Sequence, residues 1–397
     1  MWHVPNELHD ISLRFVRHLM HFFILTPPRN YLYLKILYNI VLFVYLTIIC
    51  CWRFFVSYSV VYDVRHDHLS RFLDFANFVA LIAGHILVAL DLIWRNCSEH
   101  IKQQFQQIRY ELRHQFGHKV NLQRIKNYCK LINRLIIIRI MLLLATSIYN
   151  CVVDKNPSVP LICNFYSEVI FTLRCGEFTL HSTLVLAFYK ELVEAGKEFA
   201  QKLNIEWKKT STDHELFIKQ LSRLQHMHQS LWQIQRDIEC NFERSLTVVM
   251  LKYFVDSSVM PYWVYLNIFH NKDYIGLQLY GVAEELGKLL EICVPCWIYT
   301  RCDQLQLHFR SLFHGIFANR FHEKLNSGLL SISTQLGQER SQFSIGGFFM
   351  LNNKMLGKFI FAVVSYFIIF LQFRLAMNKK EEAVMEHIFN SSIIYSE

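Results

Sequence analysis

Near the C-terminus the chain reads VSYFIIFLQFRLA, from Val364 to Ala376, and two side chains in that apolar run offer hydrogen-bonding chemistry, Ser365 and Gln372. At 100° per residue both lie within about 50° of one line along a helix, together with Phe361, Ile368 and Ile369. Lys358 continues the line at one end. An amide left unpartnered in hydrocarbon costs about 2–7 kcal/mol. Such a stripe therefore faces water or polar protein groups rather than lipid. Two readings stay open on the residues alone: a hydrogen bond between helices of one bundle, or a wet surface shared by several copies. Chemistry of other kinds is scarce. His66-Asp67-His68 is the densest His/Asp cluster and has no further ligand pattern, and the Cys293/Cys296 pair lacks the second pair that zinc would use, so packing is its simpler role. No catalytic constellation stands out. An enzyme is not expected, nor a metal, a cofactor or a nucleic-acid partner.

The helices that carry that stripe are legible from composition. Of 397 residues 53% are hydrophobic and 18% charged, with 13 glycines and 7 prolines. A soluble chain of this length usually has more charge and more turn residues. Runs of about 20 apolar residues, the length that crosses a hydrocarbon core of about 30 Å, fall near 33–57, 72–94, 131–153, 160–187, 246–270, 275–300 and 353–376. An all-α protein with seven membrane spans is expected. No linker or internal repeat divides it. The apolar patch Leu19–Leu25 is short and precedes Pro27 and Pro28, so the first long span is expected to act as a signal anchor rather than a cleaved leader. Eleven scattered cysteines give no disulfide framework, although Cys151 and Cys163 flank one short loop and could bridge if it lies outside.

Orientation follows from basic residues. With a cytoplasmic N-terminus (1–32), the inward loops are long and hold most of the Lys and Arg, including Arg109, Arg113, Lys119, Arg124, Lys126 and Lys130, while outward links such as DKNPSVP and NKD are short. Residues 377–397 then form an extracellular tail, where Asn390 heads a glycosylation sequon. The inward loops have helical period. Leu216, Ile218, Leu221, Leu224, Met227, Leu231 and Ile234 make one apolar stripe, and Leu305, Leu307, Phe309, Leu312, Phe313, Ile316 and Phe317 make another. They are expected to extend the spans into the cytoplasm and to pack there, within or between subunits.

The stretch SYFIIFLQF, Ser365–Phe373, resembles the signature of insect gustatory receptors, relatives of the insect odorant receptors: Thr-Tyr, four or five apolar residues, then Gln-Phe. The lead-in FSIGGFFMLNNKMLGKFIFAVV is similar to that family's final segment. Ser365 departs from the threonine, keeping the hydroxyl, and the tail after 376 is longer than usual. The resemblance implies a homo- or heterotetrameric ligand-gated cation channel in the plasma membrane of sensory neurons, with the last helix of each subunit lining the pore. Gln372 and Phe373 would form the gate, with Ser365 and Ile369 further along the same wall. An uncharged amide ring implies weak selection among permeant cations. Arg374 would turn away from the pore, and Lys358 on the pore stripe has no account.

The resemblance also places a tastant cavity in the outer halves of spans two to six. Candidates there are Asp74, Asn77, Tyr149, Asn164, Tyr166, Glu168, Ser257, Tyr262, Trp263, Tyr265, Tyr280 and Glu284. Aromatic walls with few polar groups suit small organic molecules, bitter-type rather than sugars. Glu284 with Lys288 and Arg174 with Glu177 are spaced to pair within their helices. The competing classes are an odorant-receptor-like subunit and a G-protein-coupled receptor. The second is opposed by the inward N-terminus and the absence of an acidic-Arg-Tyr triplet after span three.

Overall fold

Breaker-poor runs become helices of up to 57 residues. The computed structural model describes residues 7–22, 33, 37, 40–41, 44, 47–48, 51, 68–94, 98–153, 159–206, 214–270, 275–317, 323–339, 343–345, 347 and 349–394. Its helices are α1 (Glu7–Phe22), α2 (His68–Trp94), α3 (Ser98–Phe116), α4 (Leu122–Val153), α5 (Val159–Glu206), α6 (His214–His270), α7 (Ile275–Phe317) and α8 (Glu323–Gln338). A two-stranded antiparallel hairpin, β1 (Ser344–Ile345) and β2 (Phe349–Met350), follows and leads into α9 (Asn353–Ile394). Spans two to seven fall inside α2, α4, α5, α6, α7 and α9. Of the first span, Tyr33, Leu37, Ile40, Val41, Val44, Thr47, Ile48 and Cys51 are helical, and the rest lies outside the described residues. So do His66 and Asp67, and the side chains of His68, Cys151 and Cys163.

At 48 residues α5 runs about 72 Å, more than twice the thickness of a hydrocarbon core. It is the central post, packed against α2, α4, α6 and α7. The extensions lock together around Gln306 of α7, whose amide donates to Tyr189 Oη of α5 (2.9 Å) and to the carbonyl of Glu339 (3.2 Å), close to the end of α8. His228 of α6 pairs with the Glu339 carboxylate at 3.2 Å and stacks on Phe309. Burial pushes the Glu339 carboxyl up, but the hydrogen bonds from His228 and Gln335 outweigh it and hold the group below the usual glutamate range. Most of the two expected stripes is buried, including Leu221, Leu224, Met227, Leu231, Ile234, Phe309 and Phe313. Leu216, in the first turn of α6, and Leu307, on the opposite side of α7 from Phe309 and Leu312, are about half exposed.

The FSIGGFFMLNN segment anchors α9. Phe343 is buried against Phe178 and Tyr299, with ring centroids 4.8 and 4.9 Å away. Gly347 turns the hairpin at φ +72°, a conformation that side chains disfavour. Asn352 caps the helix, its Oδ1 accepting the Met355 N–H at 2.8 Å. From there α9 continues unbroken to Ile394, so residues 377–394 are helical.

Candidate functional site

Two arrangements bear on function: the free side of α9, and a buried ionic network between α4, α5, α6 and α7.

The α9 helix rests on α6 and α7 through one side. Phe359 and Tyr366 each meet Phe254 edge-on with centroids 5.6 Å apart, Phe370 lies 5.9 Å from Tyr262, and Met355 packs on Cys296. Cys296 is thus a packing residue, as its spacing suggested. The centre of that contact lies about 140° around the helix from Gln372. On the far side Phe361, Ile368, Ile369 and Gln372 are exposed, as is Lys358, while Phe373, 100° around from Gln372, is exposed at the edge of the packed side. Ser365 is half-buried and donates to the carbonyl of Phe361 at 2.9 Å, so its hydroxyl proton is spent within the helix. Across Asn353–Met377, with mean hydropathy 2.1, only 6% of the most apolar window is buried. The stripe is therefore not capped inside one chain.

The second arrangement collects charges from four helices. Lys252 Nζ lies 2.7 Å from Glu168 and contacts Asp256. Lys288 Nζ reaches Asp256 at 2.9 Å, Glu285 at 3.1 Å and Glu284 at 3.2 Å. Ser257 Oγ donates to Glu285 at 2.6 Å. Further along, Arg139 Nε pairs with Glu291 at 3.3 Å, and Glu291 also accepts from Thr172 (2.9 Å) and Tyr253. Arg139 Nη1 donates to the Glu284 carbonyl at 3.3 Å, linking the two halves. Gly287 makes that possible, since a Cβ there would lie 2.6 Å from Nη1. Three cations thus face five carboxylates, and Glu168 Oε2 and Asp256 Oδ1 have no partner among the described residues. Pro261 and Pro295 lack the N–H that would bond the carbonyls of Ser257 and Glu291, so each helix, though continuous, forgoes one backbone hydrogen bond beside the network.

Of the twelve expected ligand residues, the structure gathers Glu168, Ser257 and Glu284 here. Asn77, Tyr149 and Tyr265 are half-buried apart from the network, and Tyr166 is half-buried beside His85, with centroids 5.9 Å apart. Tyr262 instead belongs to the α6–α9 contact. Asp74, Asn164, Trp263 and Tyr280 lie in α2, α5, α6 and α7, and Asn390 in α9, with side chains outside the described residues. Adjoining the network is a cavity of about 300 Å³ between α4, α5 and α7, lined by Arg139, Thr172 and Glu291 among mostly apolar residues.

A family model described as 7tm chemosensory receptor matches residues 13–377, nearly the whole chain. The chain belongs to the 7tm chemosensory receptor family. Two Drosophila melanogaster proteins agree. The one named "Putative gustatory receptor 98a" is 36% identical over 396 residues, 99% of both chains, and "Putative gustatory receptor 98b" is 23% identical over 58% of each. Two solved structures of the insect olfactory receptor OR5 from Machilis hrabei, one of them in complex with eugenol, share the fold at TM-score 0.59. They are 12% identical, covering 91% of this chain and at least 99% of theirs.

The receptor is therefore a multi-pass membrane protein of chemosensory type, as its last span suggested. Its ionic network was missed in part. Arg139, Lys252, Asp256, Glu285 and Glu291 carried a signal, since each is an ionisable residue inside an apolar run. Lys252 with Asp256, and Glu284 with Lys288 and Glu291, even share helix faces at spacings of four and seven. Arg174 and Glu177 do pair, at 2.8 Å, with Arg174 also bound to Ser245 and the Asn241 carbonyl.

Proposed function

We propose that the receptor is a gustatory subunit of a ligand-gated, weakly selective cation channel, in which α9 helices from several copies surround a shared pore. One observation carries this reading: the polar stripe of α9 lies opposite the side that packs on its own chain and is left open. Four copies, identical or mixed, would bring four Gln372 amides around an axis, with Phe373 supplying apolar bulk for closure and Ser365 and Ile369 lining the approach. The N-terminus and the long extensions are cytoplasmic in this account, and the tail is outside, in the plasma membrane of sensory neurons. Full-length likeness to a gustatory relative supports taste over smell.

The tastant is a small organic molecule, bitter-type rather than a sugar, held among the outer-half residues that include Glu168, Ser257, Tyr265 and Glu284. Paired current recordings test both parts. Gln372→Ala changes conductance or cation preference at unchanged surface expression, and unaltered currents would count against the gate. Ser257→Leu, which breaks the bond to Glu285, and Tyr265→Ala shift ligand sensitivity without touching ion preference. Equal effects on both properties would undo the division between pocket and pore.

A further inference from the structure

We infer that His118, Glu191 and Glu194 form a site for a divalent transition-metal ion, zinc by its donor set, which clasps the turn between α3 and α4 onto α5. The sequence alone predicts no metal, because 73 residues separate the histidine from the first carboxylate. The fold joins them. Gly117 ends α3 at φ +63°, and the His118 N–H bonds back to the Leu112 carbonyl at 3.1 Å, which closes the helix end. The turn carries the imidazole to α5, where Glu191, Glu194 and Glu198 recur at spacings of three and four and share a face. Asn121 then starts α4: its Oδ1 accepts the Arg124 N–H at 3.0 Å, and its own N–H donates to Glu191 Oε2 at 3.2 Å.

One donor atom from each of the three residues lies within 4.8 Å of the others, and His118 Nε2 is 3.0 Å from Glu191 Oε2. Ligand atoms around a tetrahedral zinc stand about 3.3 Å apart, so the set has to draw in by about 1.5 Å. Glu194, 44% exposed, is free to do so. Glu198 Oε1 lies 3.5 Å from His118 Nδ1. From there a carboxylate holds the imidazole proton on Nδ1 and leaves the Nε2 lone pair to the ion.

Glu191 points to what the cluster takes. Its side chain is 1% exposed, and Oε1 accepts no hydrogen bond among the described residues. Arg124 Nη1 bonds Glu194 Oε1 at 2.8 Å but stays 3.6 Å from Glu191 Oε1. That nitrogen marks the place between the two carboxylates where positive charge is drawn, yet it leaves Glu191 unanswered. An ion bound directly to the oxygens answers both and needs no wider cavity. Arg124, 34% exposed, turns to solvent as the ion enters. With His118 neutral, Arg124 is one positive charge against three carboxylates, and the two charges left over match a divalent ion. The imidazole nitrogen favours zinc over calcium or magnesium, which take oxygen ligands.

The test uses the untagged full-length receptor in lipid nanodiscs, stripped with EDTA and titrated with Zn2+ against a fluorescent chelator. A parallel sample takes Co2+ for its visible absorption. A single ion per chain is expected, with the intense cobalt bands of a four- or five-coordinate site. Glu194→Gln, at the exposed ligand, weakens zinc binding about tenfold or more, since loss of a supporting contact alone costs about 10–100-fold. Glu198→Gln weakens it about tenfold. Arg124→Gln tightens it about fivefold, the strength of a part-exposed ion pair. Zinc raises the melting temperature of the parent and not that of Glu194→Gln. Zinc bound equally by the parent and Glu194→Gln would sit on others of the 19 histidines and overturns the site, as does the lack of stoichiometric binding. Unchanged or weaker binding in Arg124→Gln overturns the displacement of Arg124.

Discussion

Helices α5 and α9 are both long and apolar enough to cross a membrane, yet they invert the habit of soluble proteins. The more apolar segment, Asn353–Met377 of α9 at mean hydropathy 2.1, is 6% buried over its most apolar window, while Phe165–Leu203 of α5 at 1.2 is 94% buried. The buried helix carries Glu168, Arg174, His181, Ser182 and Thr183 because protein groups answer them: Lys252 holds Glu168, and Ser182 donates to Tyr299 at 3.1 Å. The exposed helix has few such groups because lipid answers none. In this receptor polarity marks a helix enclosed by its own chain. Apolarity marks one left for lipid or for another copy, and the Ser365–Gln372 stripe is then the exception that needs a wet neighbour.

The contrast breaks most visibly on the α5 side. Arg174→Leu leaves Glu177 without its 2.8 Å partner in a buried setting and is expected to cost about 3–5 kcal/mol. The folded peak in detergent size-exclusion chromatography should vanish. Gln372→Leu, on the exposed helix, should leave the subunit's peak intact. Lys288→Met is next, since it sets Asp256, Glu284 and Glu285 against one another. A melting temperature clearly below that of the parent is expected, with partial recovery in Lys288→Met/Asp256→Asn. A smaller effect falls at the foot of α9. Asn352→Ala removes the cap and costs about 1 kcal/mol, read as faster hydrogen exchange in the first turn alone.

The smallest effect concerns pH and the extension lock. Glu339 has a depressed pKa in the folded receptor, so its contribution is present above the ordinary glutamate value of 4.5 and disappears as pH falls through the lower folded one. Melting curves should therefore lose stability only in that acidic window. Glu339→Gln should flatten the loss, whereas an equal slope in the variant would place its cause elsewhere.

How far the sequence reaches differs along the same lines. Apolar runs placed six spans inside helices, and spacing alone paired Arg174 with Glu177 and Glu284 with Lys288, because those contacts live on one helix. The meeting of Arg139, Lys252, Asp256 and Glu291 was not legible, since it depends on how four helices turn toward one another. The apolar span within α9 ends where its hydropathy does, at Met377, but the helix does not. A hydropathy run stops where hydrocarbon stops, but NKKEEAVMEH contains strong helix formers and no breaker, so the helix continues.

The central claim is that one side of α9 meets water between copies. Single cysteines placed from 361 to 373, in a parent whose native cysteines do not respond, are to be probed with a charged thiosulfonate during ligand-evoked current. Current should change on modification at 361, 365, 368 and 372 and stay unaltered at 363, 366 and 370. Silence at the first set, or reaction at the second, would mean that this helix borders lipid or its own bundle and conducts nothing.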